Sequence, residues 1–379
     1  MNILQVVPEL NAGGVERTTI EIADALSAAG HVPHVVSLGG RMEDELKAAG
    51  GVLHRLRVGS KNPMSLRRNT KALIDIIKTH KIDIVHVRSR APAWPAKAAA
   101  KATGTPFITT YHGIYNARSG LKRRYNAVMA KGDVVIANSN FTKDHIIREH
   151  NINGGKIVAI PRGVDMDIFD PAQVTDANVT QIKLDWGVGN SPIILLPGRL
   201  TRWKGQLVAV EALKLLENHG INAVLVLLGD AQGRNDYVAD IKTKAEALNI
   251  SERVIFAGHS RAMPAALMAA DVVISPSTDP EAFGRVMAEA QAMQRLVVAS
   301  GHGGALETIV DGAGGNLVTP GDAQALADGI ANILSLSKSA YTKRAKAARI
   351  RIGLQYSAQA LKTATLEVYE HILRKQGRN

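Results

Sequence analysis

One pattern, a short β-branched run followed by a helical segment, repeats along this chain, and after a break it starts again. Ile3-Leu4-Gln5-Val6-Val7 reads as a buried strand, the Asn11-Ala12-Gly13-Gly14 loop turns it, and Glu16 to Ala29 reads as a helix stopped by Gly30. Val32 to Leu38, Ile84-Val85-His86-Val87, Phe107-Ile108-Thr109-Thr110-Tyr111 and Val134-Val135-Ile136-Ala137 continue the series. Strands that are apolar throughout and separated by helices belong to a parallel, doubly wound sheet. Residues 161–190, rich in Pro, Gly, Asp and Asn, interrupt the pattern. It resumes with Ile193-Ile194-Leu195-Leu196, Ala223 to Leu228, Val254-Ile255-Phe256, Val272-Val273-Ile274 and Leu296-Val297-Val298. With 379 residues, 46% of them hydrophobic, the chain can build two ordinary cores and is too long for one typical domain. The expectation is an α/β protein of two similar domains facing a cleft, with ligands beyond the carboxyl ends of the strands. The expected boundaries are a first domain over 1–165, a linker over 166–190, a second domain over 191–355 and a final helical segment over 356–379.

Composition narrows the function classes. The absence of cysteine excludes disulfides and thiolate metal sites and fits a reducing compartment. The N-terminus, Met1-Asn2-Ile3-Leu4-Gln5-Val6-Val7-Pro8, lacks the features of a signal peptide, and no apolar run approaches the roughly 18 residues of a membrane span. A cytoplasmic protein, at most peripheral on a membrane, is expected. The net charge of +12 is uneven: residues 51–150 carry 19 Lys/Arg against 5 Asp/Glu. Clusters such as Arg67-Arg68-Asn69-Thr70-Lys71 and Lys122-Arg123-Arg124 suit an anionic surface or are simply solvated helix faces. Aromatic residues make up only 4% and no nucleic-acid motif accompanies the charge, so no nucleic-acid partner is expected.

The chemistry concentrates in a few loops. Pro280-Glu281-Ala282-Phe283-Gly284-Arg285-Val286, followed by Glu289, sets two carboxylates eight positions apart across a loop-to-helix junction. Gly284 opens a helical stretch, so Glu289 falls in its second turn, and the amides around Phe283 to Val286 form a helix N-terminus suited to a diphosphate. Gly13-Gly14 sits where the first strand turns into the first helix, a place where backbone can approach a ligand closely. Gly198-Arg199-Leu200-Thr201-Arg202-Trp203-Lys204-Gly205 follows the first strand of the second half, and Arg199 and Lys204 would offer a fork and a point charge to one diphosphate. Neither a Walker A loop nor a Gly-x-Gly-x-x-Gly turn after a strand is present, which removes the main support for an ATPase or a dehydrogenase.

Taken in order, Gly13-Gly14-Val15-Glu16-Arg17, Tyr111-His112-Gly113, Asn138-Ser139, Pro161-Arg162-Gly163-Val164-Asp165, Gly198-Arg199 with Lys204-Gly205, Phe256-Ala257-Gly258 and Glu281 through Glu289 resemble the retaining glycosyltransferases of the GT-B fold, family 4. The resemblance spans essentially the whole chain and implies two Rossmann-like domains with a C-terminal helix, Tyr356 to Arg374, crossing back onto the first. It also implies roles. Arg199 and Lys204 would bind the diphosphate of a UDP- or GDP-sugar donor, Glu289 the ribose, and Glu281 the transferred sugar near its reacting carbon. Phe283, Gly284, Arg285 and Val286 would present amides, Gly258 and its neighbours would meet the base, and His112 would face the sugar or acceptor. The acceptor implied is a glycan or glycolipid, as in lipopolysaccharide or surface-polysaccharide biosynthesis. Metal and cofactor are expected to be absent, because no Asp-x-Asp stands in a donor-loop context. Two departures stand out: Arg162 where many members have Asn, and Gly303-Gly304-Ala305-Leu306-Glu307 in place of the commoner Gly-Gly-x-Pro-Glu. The competing readings are a sugar-nucleotide epimerase or hydrolase of the same fold and a non-catalytic sugar-nucleotide-binding protein.

Overall fold

The structure is a computed structural model that describes residues 1–11, 13–115 and 119–377. The chain forms two compact units, Met1–Arg162 together with the segment from Ala358 onward, and Gly163–Ser357. Ala12, in the first glycine-rich turn, lies outside the described residues.

The first unit is built on β1 (Asn2–Val6), β2 (Val32–Ser37), β3 (Val52–Arg55), β4 (Ile84–Val87), β5 (Phe107–Tyr111), β6 (Val134–Ala137) and β7 (Ile157–Ala159). They form one parallel sheet in the order β3-β2-β1-β4-β5-β6-β7. Strand order reverses between β1 and β4, so the carboxyl ends of these two strands flank a switch point at which ligands bind in such sheets. Alternation of side chains divides the core. Ile3, Ile84, Ile108 and Ile136 pack with Ile22 and Leu26 of the first helix, and with Leu361, Val368, Tyr369, Ile372 and Leu373 of the last. Leu4, Val85 and Val135 face the opposite layer, with Leu73, Ala96 and Ala99. Each fully buried aliphatic side chain contributes about 1.5–3 kcal/mol. The five apolar residues of the helix Ala358–Lys375 therefore explain why this distant segment belongs to the first unit. Its Tyr369 hydroxyl lies 2.6 Å from His86 Nδ1, while His86 Nε2 lies 2.6 Å from Thr110 Oγ1.

The second unit holds β8 (Ile193–Pro197), β9 (Val224–Leu228), β10 (Val254–Gly258), β11 (Val272–Ser275), β12 (Val297–Ser300) and β13 (Gly315–Val318), in the order β10-β9-β8-β11-β12-β13. It repeats the topology of the first, with the reversal between β8 and β11. Ile194, Leu196, Leu225 and Leu227 enter one core layer; Ile193, Leu195, Val226 and Leu228 enter the other.

Sequence and structure differ at two places. The stretch expected to be a linker packs into the second unit: Phe169 and Trp186 are buried in its core, and Arg349 donates to Phe169 O at 2.7 Å and Asp170 Oδ1 at 3.0 Å. Within it, Asp176–Asp185 is a helix started by a Thr175–Asn178 capping box. Pro, Gly, Asp and Asn mark its turns, but two isolated aromatic anchors fix the segment. Three strands also escape the sequence pattern, β3, β7 and β13. All are sheet edges, where one side lacks a neighbour and no continuous apolar run is required.

No described helix is long and apolar enough to cross a membrane.

Candidate functional site

In the second unit the predicted residues other than Gly258 lie in the segments that follow β8 and β11. The loop after β8 runs through a short 3₁₀ turn, Arg202–Lys204, into Gly205, which caps the helix Gln206–Leu215. Only glycine fits there: its φ is 75°, and a Cβ would stand 1.9 Å from the carbonyl oxygen of Pro276. That close approach sets the lysine loop against the segment after β11.

The result is a water-poor ion pair. Lys204 Nζ donates to Glu281 Oε1 at 2.7 Å, with the two side chains only 12% and 14% exposed. The same oxygen accepts Ser277 Oγ at 2.8 Å and Ser275 Oγ at 3.2 Å. Burial pushes the Glu281 carboxyl up, but the adjacent ammonium and the two hydroxyls outweigh it, and the group is held below its ordinary value. Lys204 Nζ also lies 4.7 Å from the Trp203 ring centroid. The segment around Gly303-Gly304 holds the main chain of the Glu281 loop, with Gly304 N donating to the Glu281 carbonyl at 2.7 Å and His302 Nε2 2.9 Å from the Ser277 carbonyl.

The helix Arg285–Ala292 begins at the expected place, capped by Gly284 in the left-handed conformation, and Glu289 lies in its second turn. Phe283 is buried against Tyr356, ring centroids 5.7 Å apart, so its contribution to a ligand is main-chain. The amides of Arg285 and Val286 belong to the first turn, which leaves their donors without helical partners. Glu289 accepts Arg285 Nε at 2.6 Å. Burial nevertheless pushes its carboxyl above the ordinary value, and Arg285 offsets this only in part.

Arg199 is exposed, and its guanidinium makes no hydrogen bond or ion pair with another described residue. Gly258 ends β10, and no described hydrogen bond links it to the Lys204–Glu281 cluster.

The first-unit residues form a second group. Gly13 caps the helix Gly14–Ala28, and at Gly14 a Cβ would lie 2.1 Å from Arg162 Nη1, so glycine admits the guanidinium against the turn. His112 follows β5. Its carbonyl accepts Asn138 Nδ2 at 3.1 Å and Arg162 Nη2 at 3.4 Å, while both ring nitrogens are shielded from solvent and have no hydrogen-bond partner. Burial, reinforced by Arg162 and Arg88, pushes the imidazole well below its ordinary value, so it is neutral at pH 7.

Sequence reasoning missed Ser275, Ser277, His302 and Arg88. The Ser-x-Ser spacing at the end of a strand was the available signal for the two serines, because positions i and i+2 point the same way. Nothing local marks His302 or Arg88, which join these groups through tertiary contacts.

Comparison with known proteins follows the same division. A family model described as Glycosyltransferase Family 4 matches residues 12–168, and one described as Glycosyl transferases group 1 matches residues 181–351. The crystal structure of a glycosyltransferase from Rickettsia africae ESF-5 superposes with a TM-score of 0.90 at 40% identity, covering 98% of each chain. A D-inositol 3-phosphate glycosyltransferase of Xylanimonas cellulosilytica is 29% identical over 312 residues, 78% of this chain and 73% of the relative. An Escherichia coli UDP-Gal:alpha-D-GlcNAc-diphosphoundecaprenol alpha-1,3-galactosyltransferase is 30% identical over 229 residues, 56% of this chain and 57% of the relative.

Proposed function

The chain belongs to the family 4, group 1 glycosyltransferases and has their GT-B fold, and from that premise we propose that it moves a hexose, with retention of configuration, from a UDP- or GDP-sugar to a glycan or glycolipid of the cell envelope. The observation that carries this reading is the Lys204–Glu281 pair. During glycosyl transfer the anomeric carbon becomes oxocarbenium-like while the departing diphosphate gains negative charge. Groups placed where charge develops stabilise the transition state more than the ground state.

Lys204, Arg199 and the first-turn amides of Arg285 and Val286 supply positive charge for the diphosphate, with no metal needed. Three donors fall on Oε1 of Glu281 and fix the carboxylate; in this reading its other oxygen meets the sugar near the reacting carbon. Glu281 then acts by hydrogen bonding and electrostatics, while the leaving phosphate takes the acceptor proton on the same face. Glu289 receives the ribose, Gly258 lies toward the base, and His112, neutral and with both nitrogens unpartnered, serves the sugar or acceptor.

A peripheral site on the cytoplasmic face of the inner membrane suits a lipid-linked acceptor such as that named for the Escherichia coli relative. Lys61, Arg90, Leu121 and Lys122 line an open groove on the first unit, and Leu121 and Met64 are 83% and 78% exposed. Basic residues flanking exposed apolar ones are the composition that holds a protein to an anionic leaflet.

Thermal shifts with a panel of nucleoside diphosphates and their sugars test the donor, because a ligand bound only by the folded state raises its stability. One nucleotide should stand out. Arg199→Ala and Lys204→Ala should each weaken its binding about tenfold or more. Unchanged affinity in both variants would sink the phosphate assignment, and sugar-nucleotide turnover without any acceptor would favour a hydrolase or epimerase.

A further inference from the structure

The first unit contains an arrangement that sugar recognition does not require. Arg88, immediately after β4, is only 3% exposed. Its Nε donates to Gln5 Oε1 at 2.9 Å, the Tyr369 hydroxyl lies against the guanidinium, and Nη2 is buried without a partner. Glu21, on the first helix, contributes favourable charge but does not line the space that Arg88 faces. That space is a cavity of about 20 Å³ shared by Arg88, His112, Asn138, Arg162 and Thr110, with Thr365 of the last helix. It has room for about one water-sized atom.

The polar groups around it are not self-sufficient. Besides Arg88 Nη2, both ring nitrogens of His112 and the Oδ1 of Asn138 are buried and unpartnered. Buried polar groups are ordinarily hydrogen-bonded, so several unsatisfied ones around a single cavity mark a place built for something brought from outside. The charges say what. Two guanidiniums and an imidazole able to donate surround the cavity, and no carboxylate lines it. Arg88 is almost fully buried, whereas His112 and Arg162 are part-exposed, which makes these two the solvent-side rim of the cavity. A desolvated guanidinium makes strong, directional contacts to an oxyanion, and one oxygen is what the cavity accommodates.

We propose that this pocket seats one oxygen of an anionic group, a phosphate or a carboxylate, carried by the acceptor. The inference rests on the acceptor-side role given to His112 above and narrows the acceptor to an anionic glycan or glycolipid. Arg88 and the ring of His112 hold the oxygen, and Arg162 closes the rim. Arg162 fits this role because Gly14 leaves room for its guanidinium.

The test uses full-length protein carrying Arg199→Ala and Lys204→Ala, so that the diphosphate contacts of the second unit cannot take up the probe. Sodium phosphate and sodium acetate are titrated separately at constant ionic strength, following the His112 Cε1–H resonance by NMR. At least one ion should shift it saturably, and the ion that saturates at lower concentration identifies the acceptor group as phosphate or carboxylate. Arg162→Asn, at the rim and apart from the Gln5–Arg88–Tyr369 chain, should raise the half-saturating concentration about tenfold or more. Arg88→Met should do the same if it folds. No shift with either ion, or half-saturation unchanged by Arg162→Asn, would overturn the proposal. Nucleotide binding by the wild type is measured alongside: its failure with the anion effect intact would remove the donor reading and leave the pocket, and the reverse result would remove only the pocket.

Discussion

Replacing Lys204 by methionine keeps the length of the side chain and removes its charge, which isolates the energetics of the ion pair. Glu281 would be left 14% exposed with only the Ser275 and Ser277 hydroxyls on Oε1. Two routes are open to it. If it stays ionised, a buried charge without its partner costs about 3–5 kcal/mol. If it takes a proton at pH 7, a carboxyl with an ordinary value near 4.3 costs about 3.7 kcal/mol, at 1.36 kcal/mol per pH unit. The cheaper route governs, so Lys204→Met should lose about 3–4 kcal/mol at pH 7. At pH 5 the protonation route costs only about 1 kcal/mol. In the wild type this carboxyl adds almost no pH dependence over that range, because a group held below its ordinary value keeps its stabilising contribution above that value and loses it only as pH falls through the lower, folded one; the titration of other groups is common to both proteins and cancels in the comparison. Urea unfolding at the two pH values reads the difference, with Trp203 emission reporting the ring that Lys204 covers. The double variant Lys204→Met/Glu281→Gln removes both charges and should recover most of the loss. An equal cost at pH 7 and pH 5, or no recovery in the double variant, would refute the reasoning.

Three further outcomes are expected. Gly205→Ala should lose at least about 2 kcal/mol and weaken nucleotide binding, since it combines left-handed strain with a 1.9 Å approach to Pro276 O; a stability within about 0.5 kcal/mol of wild type contradicts the close packing of the two loops. His34, His86 and His112 are all held below the ordinary imidazole value, mainly by burial, with His34 at about 4. Their contribution is complete above about pH 6.5 and is lost as pH falls toward the folded values. Stability should therefore drop between pH 6.5 and 5 by up to about 1.4 kcal/mol per pH unit for each group, and a flat profile there would be inconsistent with neutral buried rings. Co-sedimentation with acidic vesicles should exceed that with neutral ones. It should fall at high salt and on changing Arg67, Arg68, Lys122, Arg123 and Arg124 to Ser, whereas equal binding to both lipids, or none, favours a soluble acceptor.

The sequence alone determined the class of fold and the order of its parts. A buried parallel strand must be apolar on both faces, so β1, β4, β5, β6, β8, β9 and β11 appear as continuous runs that any reader of the chain can find. Motifs confined to one turn were equally legible. Glu281, Gly284 and Glu289 take their positions from a loop and the first two turns of one helix, and that geometry is local. Three of the four edge strands were not legible, because β3, β7 and β13 need only one neighbour and no unbroken apolar run. Nor was the place of residues 163–190, where the gain from burying Phe169 and Trp186 outweighs a composition typical of loops. Tertiary structure alone decided the pairing of Lys204 with Glu281, 77 residues away, and the two serines that complete its shell. It alone brought Arg88, His112 and Arg162 around one cavity and set Tyr369 against His86, 283 residues apart. Local periodicity encodes burial and turn chemistry, but the meeting of distant polar groups depends on how strands are ordered in a sheet, and no short stretch of sequence carries that order.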